Sequence, residues 1–172
     1  MYEMNKRMIN ILYSDGNSTT DNRIKTFILF TQTAREVFKY IDARLVEEAG
    51  ISMVKFITLQ VINHVSGVMN PSEIAKWTQT ERNNVTTLIR RMEKEGLVKV
   101  ERNVNNKKYV DVTITDEGCE VLARSMATAD NIIYEMMHSF SDDDMKPFTK
   151  QLYSMLNKAH VELEKSGKVN RC

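Results

Sequence analysis

The stretch that decides the fold runs from residue 70 to residue 115, NPSEIAKWTQTERNNVTTLIRRMEKEGLVKVERNVNNKKYVDVTIT. Asn70 stands as a helix N-cap, Pro71 takes the first helical position, and Glu73 at the third position can close a capping box. The helix that follows ends near Trp77-Thr78 and carries only Ile74, Ala75 and Trp77 as apolar members, so it must pack on a neighbour to be stable. A second helix begins at Thr80 or Glu81. It repeats Val85, Leu88, Ile89 and Met92 along one face and is stopped by Gly96. From Leu97 the period falls to two, with Val98, Val100 and Val104 on one face and Lys99, Glu101 and Asn103 on the other. Asn105-Asn106 suits a tight hairpin, after which Val110, Val112 and Ile114 resume the alternation. Short helix, tight turn, second helix and two-stranded hairpin, in that order, are the plan of a winged helix-turn-helix.

Rotating the second helix by about 100° per residue places Asn83, Thr87, Arg90 and Lys94 opposite its apolar face, flanked by Arg82, Asn84, Thr86 and Arg91. Guanidinium forks, amides and hydroxyls are the groups that pair with base edges and phosphate oxygens in a major groove. An ordinary solvated helix is the alternative. Such faces tend to mix Glu with Lys at i, i+4, whereas Arg82 to Arg91 contains no carboxylate. The hairpin tip adds Asn105, Asn106, Lys107 and Lys108, which fit either a wing touching phosphate or minor groove, or an edge kept soluble by lysines. The net charge of +1 conceals this clustering: residues 71–108 hold nine Lys/Arg against five Asp/Glu, or +4, which leaves −3 for the remainder.

Outward from this centre the chain reads as helical. Residues 1–20, with Met4, Met8, Ile11 and Leu12 before a polar run, form a flexible N-terminal extension. Ile24, Phe27, Ile28, Ala34, Phe38, Ile41 and Leu45 mark one face of a long helix closed by Gly50, and Ser52 can cap another that carries Met53, Phe56, Ile57, Val61 and Val65 toward Gly67. Thr115 can cap a further long helix through Val121, Leu122, Met126, Ala129, Ile132 and Ile133. Ser141-x-x-Asp144 signals a last helix through Leu152 and Leu163, although Pro147 implies a kink or a start nearer Asp144. The expected fold is mainly α with a small β-hairpin wing. Residues 51–115 form a winged helix-turn-helix, 116–138 a long linking helix, and 21–50 with 139–172 a helical dimerisation region.

The segment from Ile51-Ser52 to Gly118 resembles the MarR family of bacterial and archaeal regulators. The likeness rests on Ile51-Ser52 with Phe56, Ser72-Glu73-Ile74-Ala75, the block from Val85 to Val98, and Ile114-Thr115-Asp116-Glu117-Gly118. The resemblance implies a homodimeric transcriptional regulator, commonly a repressor, reading a palindrome in double-stranded DNA. On it the DNA-contacting set is Ser72, Arg82, Asn83, Asn84, Thr86, Thr87, Arg90, Arg91, Lys94, Asn105, Asn106, Lys107 and Lys108. It also implies terminal helices that interlock two subunits, here within Ile24–Leu45, Leu152–Leu163 and part of the Thr115–His138 helix. Release by a small aromatic or phenolic effector is implied too, with Phe27, Phe30, Phe38, Met53 and Phe56 as pocket candidates, although plain core packing is the commoner role for any one such residue. The wing departs from the family pattern: Asn103, Asn106, Lys107 and Lys108 stand where Asp-x-x-Asp and Arg are usual, so an Asp–Arg staple is missing.

Composition narrows the alternatives. With 42% hydrophobic and 27% charged residues in 172, the chain should fold around one core of ordinary depth. No apolar run is long enough to cross a bilayer and none resembles a signal peptide, so a cytoplasmic protein without membrane attachment is expected. Cys119 and Cys172 are far apart and form no C-x-x-C pair, and Asp116, Glu117 and Glu120 oppose activation of Cys119. His64, His138 and His160 lack metal-binding spacing. No nucleophile–base pair or phosphate-binding glycine loop occurs, so neither an enzyme nor a bound cofactor is expected. The rival from another class is a winged-helix module that binds protein in place of DNA.

Overall fold

The computed structural model describes residues 21–65, 67–103 and 110–166. In chain order these form α1 (Asn22–Ala49), α2 (Met53–His64), β1 (Val68–Met69), α3 (Pro71–Thr78), α4 (Arg82–Lys94), β2 (Val98–Arg102), β3 (Val110–Ile114), α5 (Asp116–Met137) and α6 (Asp142–Lys165). The chain divides between Ala43 and Arg44 into two compact units. In the first, the described residues are Asp21 and α1 up to Ala43, and an Arg23–Asp21 ion pair at 2.7 Å and an Arg23 N–H bond to the same carboxylate close the helix start. That pairing holds the Asp21 carboxyl below its ordinary range and lifts the Arg23 guanidinium further. Residues 1–20, expected as an extension, lie outside the described residues.

The second unit holds the winged module. Its core gathers Leu45, Ile51, Phe56, Leu59, Ile62, Ile74, Val85, Ile89, Met92, Val98, Val112, Leu122 and Ile132, all buried. The helix-turn-helix pattern therefore closes as expected, with the apolar side of α4 facing inward. Val85, Ile89 and Met92 are at most 3% exposed. Burial of such side chains contributes about 1.5–3 kcal/mol each, far more than a solvated charged face can supply. Thr58 and Ser125 are buried on α2 and α5, which pack together; each hydroxyl donates to a carbonyl of its own helix, Val54 at 2.8 Å and Val121 at 2.7 Å. No donor is stranded there.

Local chemistry sets the element ends. Asn70 accepts from the Ser72 and Glu73 N–H groups at 3.0 Å each, while Glu73 returns a bond to the Asn70 N–H at 2.8 Å, completing the expected capping box. Gln79, at φ +51°, turns the chain out of α3. Gly96 ends α4 at φ +77°, and the N–H of buried Leu97 bonds back to the Met92 carbonyl at 2.9 Å, the return of a Schellman cap. Thr115 caps α5 by accepting from the Gly118 N–H at 3.0 Å, and its own hydroxyl donates to the Gly96 carbonyl at 2.6 Å. Ser141 and Asp144 form a second capping box, whose bonds to the Asp144 carboxylate hold its pKa below the ordinary value.

Several expectations need correction. The expected hairpin forms as β2 against β3, but a third strand joins it, giving the order β1-β3-β2 with Val68 opposite Thr113 and Met69 opposite Val112. Two residues between Gly67 and Asn70 are too few to show an alternation, so β1 is visible only through its partner. Ser52 occupies the N-cap position of α2 but makes no side-chain cap bond. Helix α4 starts at Arg82, one or two residues later than expected. Helix α6 starts at Asp142 and keeps Pro147 inside it. No helix among the described residues is long and apolar enough to cross a membrane.

Gly118 shows why the α5 entry needs its sequence: a Cβ there would lie 2.1 Å from the Leu97 carbonyl oxygen and 2.9 Å from Ile114 Cγ1. Gly118→Ala should lower the urea midpoint by an amount equivalent to about 1–3 kcal/mol, the usual cost of forcing extra volume into a packed site. An unchanged midpoint would mean that the α4–β2 turn yields freely.

Candidate nucleic-acid interface

The outward side of α4 carries Arg82, Asn83, Asn84, Thr87, Arg90, Arg91 and Lys94 exposed, with Thr86 half-buried. The helix start is open as well: its first turn has no acidic residue and Glu81 makes no side-chain cap. An open N-terminal turn suits an anion. Among the described residues, none of Arg82, Arg90, Arg91 and Lys94 has an ion-pair partner. Neighbouring cations do: Lys55 pairs with Glu95 at 2.6 Å, Lys99 with Glu101 at 2.9 Å, and Arg44 with both Glu48 and Glu135. Lys76 at the end of α3 and Arg102 at the end of β2 also lack an ion-pair partner among the described residues, so α4 carries four of the cations left unneutralised around this surface.

The hydroxyls play a narrower part than the sequence alone implies. Thr86 donates to the Arg82 carbonyl at 2.9 Å and Thr87 to the Asn83 carbonyl at 3.1 Å. Bonded back to the helix in this way, the two side chains offer a lone pair and a methyl group outward, the latter suited to a thymine methyl.

A groove of about 370 Å³ brings part of the predicted set together: Ser72 from α3 and Arg82, Thr86 and Arg90 from α4, beside Val100 and Val110 of the sheet. Asn83, Asn84, Thr87, Arg91 and Lys94 lie on the exposed side of α4 without lining that groove. Asn105, Asn106, Lys107 and Lys108 fall outside the described residues. Two residues were missed. Glu93 lines the same groove, which the absence of acid between Arg82 and Arg91 did not anticipate; its spacing of three from Arg90 was the available signal. Arg102, exposed at the end of β2 opposite Val110, adds a forked cation at the wing base.

The wing base also has its own tie in place of the missing Asp–Arg staple. Asn103 Nδ2 donates to both carboxylate oxygens of Asp111, at 2.9 and 3.0 Å, across the two strands. The candidate pocket residues are differently placed. Phe56 is 4% exposed and belongs to the core of the second unit, whereas Phe27, Phe30 and Phe38 are exposed on α1 and Met53 is half-buried. None of the five lines this groove or the second one described below.

A capped short helix, a left-handed turn, an outward-facing polar helix and an antiparallel wing define a winged helix-turn-helix protein. Residues 51–110 match the sequence model of the MarR family. The structure is similar to the organohalide-sensing RdhR-CbdbA1625 transcriptional regulator in its ligand-free form, with a TM-score of 0.76 and 19% identity over 92% of this chain and 93% of that one. The 2,4-dichlorophenol-bound form of the same regulator matches with a TM-score of 0.73 and 19% identity, over 86% and 88% of the two chains. Sco3205, a MarR family transcriptional regulator from Streptomyces coelicolor in complex with DNA, matches with a TM-score of 0.71 and 19% identity, over 84% and 92%. Comparison with curated proteins finds no match.

Asn103→Ala should cost about 1 kcal/mol of stability, since it removes a donor bound to a charged acceptor at a half-exposed site. The loss should appear as faster amide exchange in β2 and β3, with α2 and α5 unaffected. Uniform exchange throughout would show that the Asn103–Asp111 tie does not hold the wing.

Proposed function

We propose that the protein is a sequence-specific DNA-binding transcriptional regulator, a repressor, that acts as a homodimer on a palindromic operator. The observation that carries this reading is the exposed side of α4, where four cations without ion-pair partners among the described residues stand beside Asn83 and Asn84. A helix presented this way fits a major groove, with Arg82 and Arg90 as the forked readers of base edges. Ser72 and the open N-terminal turn of α4 reach phosphate, and Lys107 and Lys108, between β2 and β3 in the sequence, anchor the flanking backbone. The protein-binding alternative would need a strongly acidic partner, because four cations without ion-pair partners among the described residues need an anionic surface.

The test is binding to duplex as salt is varied. Affinity for random DNA should fall steeply as salt rises, through counterion release. Arg90→Ala should weaken operator binding by about 1–3 kcal/mol, while Lys107→Ala weakens all sequences alike. Equal operator affinity of Arg90→Ala and the parent chain would remove Arg90 from the reading face.

Two subunits are required because one module touches too few bases to be specific. The support lies in α6, a 24-residue helix with no buried residue, which exposes Phe148, Tyr153, Met155, Leu156, Val161 and Leu163. A helix this apolar and this open needs cover, and a second copy of the chain supplies it. Light scattering at micromolar concentration should give a dimer, and Leu156→Glu should shift it toward monomer. A monomeric parent chain would overturn the assignment. We further propose that a small aromatic or phenolic effector releases the DNA, with Phe27, Phe30, Phe38, Met53 and Phe56 as candidate contacts. The dichlorophenol complex of the similar regulator supports that ligand class.

A further inference from the structure

A second groove, of about 340 Å³, opens on the second unit between α2, α3 and α5. Gln60, Val61, Asn63 and His64 come from α2, Trp77 from α3, and Leu122 and Met126 from α5. Leu122 is buried and Val61 half-buried, whereas Trp77 is 57% and Met126 44% exposed. The Trp77 ring meets His64 edge-on, with centroids 6.1 Å apart, which leaves indole surface open to the groove. Leaving a Trp this exposed forgoes the burial that makes it valuable in a core. The Gln60 and Asn63 carboxamides have no hydrogen-bond partner among the described residues.

The chemistry of the lining selects the ligand. A Trp face and a Met thioether favour a flat aromatic. No Lys, Arg, Asp or Glu lines the groove, so the choice between an aromatic cation and an aromatic anion falls to the ring face, the carboxamides and the helix end. The polar rim lies in the last two turns of α2, which end at His64, where the helix dipole is negative. Carboxamide oxygens and an aromatic face are also the groups that receive cations. We propose that this groove is a binding site for small flat aromatic cations, such as quaternary heteroaromatic nitrogen compounds. None of its lining residues is among the candidate contacts for the aromatic or phenolic effector, and it stands independently of the DNA-binding reading.

Trp77 is the single tryptophan of the chain, so intrinsic emission reports on this site directly. The full chain, without DNA, would be titrated with N-methylquinolinium and, in parallel, with naphthoate, a ring system of equal size and opposite charge, and calorimetry would supply the affinities. Saturable quenching by N-methylquinolinium is expected, with naphthoate weaker by roughly tenfold or more. Met126→Lys, at an exposed helix position, should weaken the cation roughly tenfold and Met126→Glu should strengthen it, with unchanged circular dichroism in both. Quenching that never saturates, equal affinity for the two probes, or indifference to both Met126 substitutions would each overturn the proposal.

Discussion

Everything in the winged module depends on the two-sidedness of α4. Its apolar stripe, Val85, Ile89 and Met92, is fully removed from water, and that burial fixes the rotation of the helix about its own axis. Once the rotation is fixed, Arg82, Arg90, Arg91 and Lys94 have only one direction to point. They gain nothing by way of fold stability there, since exposed charges contribute little. The hydrophobic effect thus orients a polar face that contributes almost nothing to folding, which is the arrangement a reading surface requires.

Holding that helix in place falls to small polar groups at element ends. The Asn70–Glu73 capping box anchors α3, and the Gly96–Leu97 return stops α4 where β2 must begin. Thr115 joins the two sides of the sheet, because its hydroxyl donates to Gly96 while it caps the first turn of α5. Gly118 lets that turn lie against the Leu97 carbonyl. The Lys55–Glu95 pair adds a tie from α2 to the C-cap of α4. Apart from the α3 capping box, these contacts gather at the C-terminal end of α4, so its position is set there as well as by its core stripe.

The fold was legible wherever periodicity was long or punctuation strong. Val85 to Met92 announced a helix through its 3.6-residue spacing, Gly96 announced its end, and Asn70-Pro71-Ser72-Glu73 announced α3 by cap chemistry alone. Strand β1 was hidden because two residues carry no period; only pairing with Val112 and Thr113 makes it a strand. Within the candidate site, the exposed face of α4 could be read from rotation about the helix axis, but what converges on it could not. Glu93 enters the groove because β2 and β3 pack beside that flank of α4, a fact of tertiary placement. The Thr86 and Thr87 hydroxyls look equally free in a sequence until the preceding carbonyls are in view. The wing tie between Asn103 and Asp111 spans eight residues, which no local pattern connects.

The chemistry of the cations implies a division of labour between helix and wing. Arginine presents a flat fork that matches the two acceptors of a guanine edge, whereas lysine is a point charge that matches any phosphate. On α4 three of the four cations without an ion-pair partner among the described residues are arginines, while the sequence between β2 and β3 holds Lys107 and Lys108. Under the proposed DNA-binding function, discrimination between sequences would concentrate on the helix, and Lys107 and Lys108 would add affinity that depends little on sequence. Glu93 sharpens that division. A carboxylate beside Arg82 and Arg90 repels phosphate, so under the proposed function the groove would favour placements of a duplex that keep backbone away from it and bring base edges toward the guanidinium forks.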